Sequence, residues 1–92
     1  MEPLAFLEKL RSEYIKTENS DLLFEDKEIE IGSTTYRLNS WQDFYGSDGL
    51  IVFELKRKEI MVTDSLCIGI RYSQKHGVSY LSSAQLWDIG IP

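Results

Sequence analysis

Thr63-Asp64-Ser65-Leu66-Cys67-Ile68-Gly69-Ile70-Arg71-Tyr72-Ser73-Gln74-Lys75-His76-Gly77 obeys two local grammars at once. Leu66, Ile68, Ile70 and Tyr72 alternate with Cys67, Gly69, Arg71 and Ser73, which is the two-residue period of a half-buried strand. The ends of the segment speak for a helix instead. Thr63 is a good N-cap, Lys75 and His76 suit a last helical turn, and Gly77 suits the position just beyond one. The fold turns on which signal wins.

The neighbouring segments divide in the same way. Leu50-Ile51-Val52-Phe53 reads equally as a buried strand or as the start of a buried helix, and periodicity does not separate the two. The continuation Glu54-Leu55-Lys56-Arg57-Lys58-Glu59 is made of helix formers, which favours helix. Trp41 to Gly49 reads as a loop, with Ser47 or Asp48 available to cap the helix that follows. Beyond Gly77, Val78 to Leu81 reads as a short strand. Ser82 or Ser83 then caps a final short helix carrying Leu86, Trp87 and Ile89.

The first forty residues are less ambiguous. Leu4, Leu7, Leu10 and Tyr14 recur at helical spacing with Lys9, Glu13 and Lys16 on the other side. Pro3 suits the first turn, where its missing N–H costs nothing, and Glu18-Asn19-Ser20-Asp21 ends the helix. Gly32-Ser33 between two alternating runs reads as a two-residue hairpin turn, glycine supplying the positive φ. That turn sets the register of a β-hairpin over about 27–38: Ile31 faces Thr34, Ile29 faces Tyr36, Glu28 faces Arg37 and Lys27 faces Leu38. Ile29, Ile31, Tyr36 and Leu38 then share one face, so a slip of one residue would expose both isoleucines.

Composition narrows the class of protein. The chain has 92 residues, 42% hydrophobic and 12% aromatic, which is one globular domain's worth. No apolar run exceeds four residues, as in Leu50 to Phe53, far too short to span a bilayer, and no signal peptide is expected. A single cysteine, Cys67, excludes an intramolecular disulfide and fits a reducing compartment. The net charge of −5 argues against direct nucleic-acid binding, which relies on Lys and Arg. The charge is uneven: residues 1–48 carry eleven acids against five bases, while residues 49–92 carry four against five. Much of the excess falls on the wet sides of the first helix and the hairpin.

Site chemistry is sparse. His76 is the only histidine and has no metal-ligand companion at a usable spacing, Cys67 included. Cys67, set between Leu66 and Ile68, reads as inert core. No phosphate-binding glycine pattern occurs around Gly46 and Gly49, and Lys56-Arg57-Lys58 is too short for a basic patch. No catalytic, cofactor-binding or metal residue is therefore assigned, and an enzyme is not expected. Trp41 and Trp87 are the candidate partner-binding residues, because exposed tryptophan anchors interfaces; a small domain also needs such side chains inside.

Met1-Glu2-Pro3-Leu4-Ala5-Phe6-Leu7 resembles the M-D-P-L-x-x-L opening of the parafibromin family. Tyr45-Gly46-Ser47-Asp48-Gly49-Leu50-Ile51-Val52-Phe53 is similar to that family's Y-T-L-E-x-L-x-x-F segment. Lys56, Ile60 and Thr63-Asp64-Ser65-Leu66 resemble K-N and L-x-H-x-E-Y-L, and Gly77-Val78-Ser79-Tyr80-Leu81 resembles G-I-P-x-V. Leu86-Trp87-Asp88-Ile89 stands where the family has D-R-K-x-L-L. The chain departs from the pattern in lacking the Y-T-L-E threonine and leucine, the proline after G-I and the P-D-R triplet. It also carries about four extra residues between Leu66 and Gly77. Four residues make about one helical turn, an insertion that a helix absorbs with its faces kept. That consideration, with the caps, selects helix for Thr63–His76.

The resulting expectation is an α+β single domain over 1–92: an N-terminal helix, a β-hairpin at about 27–38, then two to three helices with a short strand near 78–81. The resemblance implies the N-terminal domain of a longer, non-catalytic nuclear scaffold subunit. Its partners would be the other subunits of an RNA polymerase II-associated elongation factor complex, with no nucleic acid, membrane or small molecule bound directly and no cofactor. The alternative, from the low pI and acidic first half, is a stand-alone acidic inhibitor or adaptor that binds a basic protein.

Overall fold

The computed structural model of the chain describes residues 2–17, 23–58 and 65–90. Helix α1 (Pro3–Thr17) is followed by strands β1 (Lys27–Ile31), β2 (Thr34–Tyr45), β3 (Asp48–Arg57), β4 (Ser65–Ser73) and β5 (Gly77–Leu81), and then by helix α2 (Ser83–Asp88). The five strands form one antiparallel sheet in chain order, β1-β2-β3-β4-β5. Of the described residues, 53% are strand and 27% helix, so the protein is mainly β.

Two turns of the same chemistry build the first three strands. Gly32-Ser33 joins β1 to β2, with Ile31 opposite Thr34, and Gly46-Ser47 joins β2 to β3, with Tyr45 opposite Asp48. Both glycines have φ of 63°, the left-handed conformation required at the first central position of these tight hairpins. The first hairpin has the register expected from its sequence, from Lys27 opposite Leu38 to Ile31 opposite Thr34. Asn39 prolongs its start: its Oδ1 accepts from the N–H of Asp26 at 2.8 Å. Ser40 does the same one step further, its Oγ accepting from Phe24 N–H at 2.6 Å and its own N–H reaching Phe24 O at 2.8 Å.

Both faces of the sheet are covered. On one, Leu7 and Tyr14 of α1 pack on Leu38, Ile51, Phe53, Leu55, Ile68 and Ile70. The Tyr14 ring meets Phe53 edge to face, with centroids 6.1 Å apart and planes at 72°. On the other face, Leu86 of α2 packs on Leu50, Val52, Cys67 and Leu81, with Trp41 and Ile89 at the border. Ser82 caps α2 in a reciprocal capping box with Gln85, as one of the two expected serines. Gly69 makes this close packing feasible: a Cβ there would lie 3.0 Å from Ile51 O and 3.3 Å from Leu86 Cδ2.

The α+β expectation with two to three helices after the hairpin is therefore corrected. Residues 48–57 and 65–73 are strands, and 41–45 belong to β2 instead of a loop. The physical reason is two-sided burial. Leu50 to Leu55 are all buried, the apolar ones alternately under α1 and α2, so this central strand opens with a continuous apolar run, Leu50 to Phe53, and not an alternation. Helix propensity across Glu54–Lys58 is worth a few tenths of a kcal/mol per residue and yields to that burial. In 65–73 the two-residue period prevails. Lys75 and His76 lie in the β4–β5 turn, and Gly77, at φ 74°, opens β5 in place of ending a helix. Thr63 as a cap and Glu18–Asp21 as the helix end lie outside the described residues.

Phe53→Ala should cost about 3–5 kcal/mol in urea unfolding, whereas Ile29→Ala, on the half-buried edge strand, should cost less than about 2 kcal/mol; equal costs would contradict the layering. Gly69→Ala should destabilise by about 1–3 kcal/mol. Combined with Leu86→Ala it should cost less than the sum, because the two changes share one contact.

Candidate functional site

Register places an aromatic shelf at one end of the α1 face. Phe44 lies opposite Gly49, Gly49 opposite Tyr72, and Tyr72 opposite Val78. The next row runs Gln42, Ile51, Ile70, Tyr80. Among the described residues helix α1 packs on β3 and β4, and its Tyr14 reaches this end of the sheet. Phe44 is 73% exposed on β2, and Val78 and Tyr80 are 52% and 57% exposed on β5, so large side chains face solvent on both sides of this end. Gly49 contributes no side chain, so its position becomes the floor of a cleft of about 390 Å³. Tyr14, Phe44 and Tyr72 wall it, with Gln42 and Ile51 beside them.

One ion pair backs this end of the sheet. On the opposite face, Arg71 Nε and Nη2 lie 2.7 and 2.6 Å from Asp48 Oδ2, tying β4 to the β2–β3 turn. The same guanidinium stacks 5.2 Å from the Tyr45 ring. At the β5 side, the Arg11 guanidinium sits 4.8 Å over Tyr80, and its Nη1 donates to Leu81 O at 3.3 Å. Lys75 and His76 are exposed in the turn that leads into β5.

A second cluster surrounds Cys67 under α2. Its Sγ–H points to Glu54 Oε2 at 3.8 Å, Ser65 Oγ lies 3.6 Å from the sulfur, and Ser83 Oγ donates to Cys67 O. Burial pushes the thiol pKa up, the Ser65 hydrogen bond only partly opposing this, and the Glu54 charge raises it further. A buried, protonated thiol is a poor nucleophile, and the cluster serves to fasten α2 to β4. Among the described residues no three His, Cys, Asp or Glu side chains come together as a metal site. Among the described residues no helix is long and apolar enough to cross a membrane.

The two tryptophans take different roles. Trp41 is half-buried at the border of the α2-side core, its Nε1 donating to Asp43 Oδ2 at 3.4 Å. Trp87 projects from α2 and is 74% exposed. Both lie on the α2 side, away from the shelf of Phe44, Tyr72, Val78 and Tyr80. Sequence reasoning missed that shelf. A signal existed in Gly46-Ser47, which repeats the turn of Gly32-Ser33 and would have set Phe44 beside Gly49. No known protein family, characterised protein or solved structure matches the chain.

At neutral pH, Cys67 of the folded protein should react with an alkylating reagent at least about a hundredfold more slowly than the urea-unfolded chain. Equal rates would show that α2 does not cover the thiol.

Proposed function

We propose that this chain is a non-catalytic protein-interaction domain of a nuclear subunit of an RNA polymerase II-associated transcription elongation complex. The observation that carries the interaction reading is the aromatic shelf: Phe44 on β2 and Val78 and Tyr80 on β5 are exposed on either side of the β3–β4 pair that Asp48 and Arg71 tie together. Aromatic anchors on a preorganised surface lose little entropy when a partner covers them. Trp87 offers a further anchor on the α2 side. The elongation-complex part rests on the similarity of Met1–Leu7 and Tyr45–Phe53 to the parafibromin family. Tyr45–Phe53 forms the β2–β3 turn and the buried start of β3. The insertion before Gly77 falls in a strand and its turn, so the helical-turn argument for tolerating it no longer applies.

The acidic-inhibitor reading rests on the acidic excess of residues 1–48, where, among the described residues, three of the eleven acids have ion-pair partners within the fold. Glu28 pairs with Lys58 at 2.6 Å, Asp26 with Arg37 at 3.9 Å and Asp48 with Arg71 at 2.6 Å, so these carboxylates are answered within the fold. Tagged full-length gene product, purified from nuclear extract, should recover polymerase-associated elongation factors. Phe44→Ser with Tyr80→Ser should reduce that recovery without unfolding the domain. Recovery of none of these factors by the unaltered protein would overturn the proposal.

A further inference from the structure

The two edges of the sheet are built differently. β1 carries Lys27, Glu28 and Glu30, is preceded by Asp26 at φ 51°, and has Lys58 Nζ clasped to Glu28. Charges and a kink of this kind protect an edge against pairing with another chain. β5, Gly77-Val78-Ser79-Tyr80-Leu81, has no charge and no proline, and no strand lies beyond it among the described residues. Its residues Gly77 to Tyr80 are all exposed. An edge strand presents alternate N–H and C=O groups outward, so β5, apart from Leu81 O, which accepts from Arg11, is a template for an added strand.

The surroundings state what that strand must carry. Lys75 and His76 stand at the Gly77 end and Arg11 at the Leu81 end. A second copy pairing antiparallel about Ser79 would bring Lys75 of each protomer to the Arg11 end of the other, cation against cation. A chain with acidic ends meets opposite charge at both. Its alternate side chains on the α1 face would extend the row of Val78 and Tyr80, which calls for β-branched or other apolar residues there.

We propose that β5 is a docking edge for an extended acidic segment of another protein, which joins the sheet as a sixth strand through main-chain hydrogen bonds. Five residues of β5 span about 17 Å, enough to pair a segment of five or six residues. The proposal deepens the interaction reading above and rests on its protein-binding part alone, not on the identity of the complex.

The test is an NMR titration with the nonapeptide Asp-Glu-Val-Thr-Val-Thr-Val-Glu-Asp and with its counterpart bearing lysine at the four acidic positions. The acidic peptide should shift the amides of residues 77–81 and slow their hydrogen exchange, and the lysine peptide should not. Val78→Asp should weaken binding at least tenfold, and Lys75→Gln, in an exposed turn outside the core, about threefold. Shifts confined to β1, shifts around Gly49 without amide protection in β5, or no saturable binding would each overturn the proposal. Concentration-dependent protection of β5 without peptide would assign the edge to a second copy and overturn it as well. The outcomes are separable from those of the purification. Peptide binding with no elongation factor recovered would leave the edge and remove the complex. Recovery of the elongation factors with no saturable binding of the acidic peptide would leave the complex and remove the edge.

Discussion

The structure depends on β3 being buried on both faces. Ile51, Phe53 and Leu55 face α1, while Leu50 and Val52 face α2 and its supports. A strand in this position cannot leave its backbone groups to water, so it needs a partner on each side, and β2 and β4 supply them. The helices follow from the same demand. α1 brings Leu7 and Tyr14 to one face, and the six-residue α2, too short to persist alone, is held by Leu86 over Gly69 and by the serines at its start. Glu54 shows how strict the arrangement is. It is a buried carboxylate in the middle of β3, satisfied by Lys56 at 3.7 Å and by the Cys67 thiol.

This constraint also explains which parts of the fold were legible in the sequence. The first helix and the β1–β2 hairpin each expose one side to water, so their hydrophobic patterns carry a clear period, and their readings agree with the structure. β3 has no wet side along most of its length, and its apolar run carries no period at all. β4 keeps its period in Leu66, Ile68, Ile70 and Tyr72, but cap-like residues at its ends compete with that signal. Caps such as Lys75, His76 and Gly77 are equally good turn residues, and only the element they flank decides which role they take. The N-terminal helix, the hairpin and α2 were thus readable locally, while the two strands that form the centre required knowledge of what covers them.

The candidate surfaces follow the same logic. Trp87 and Trp41 were visible as large side chains, but burial separates them: one is exposed on α2, the other is part of the border of the core. The shelf of Phe44, Tyr72, Val78 and Tyr80 comes from four strands and exists only through register, so no linear motif announces it. Charge behaves similarly. The acidic excess of the first 48 residues suggested a face for a basic partner, yet several of its members are paired within the fold. The open β5 edge lies in the half of the chain with the slight basic excess, fringed by Lys75, His76 and Arg11.

The central claim is that 65–73 is a strand paired with β3 and not a helix. Nuclear Overhauser contacts across this pair test it most directly. The account predicts cross-strand backbone contacts between Ile51 and Ile70, Val52 and Gly69, and Phe53 and Ile68, with strong sequential Hα-to-amide contacts throughout the segment. Strong sequential amide-to-amide contacts across residues 65–73, with contacts from each residue to the third beyond it and none to β3, would contradict it.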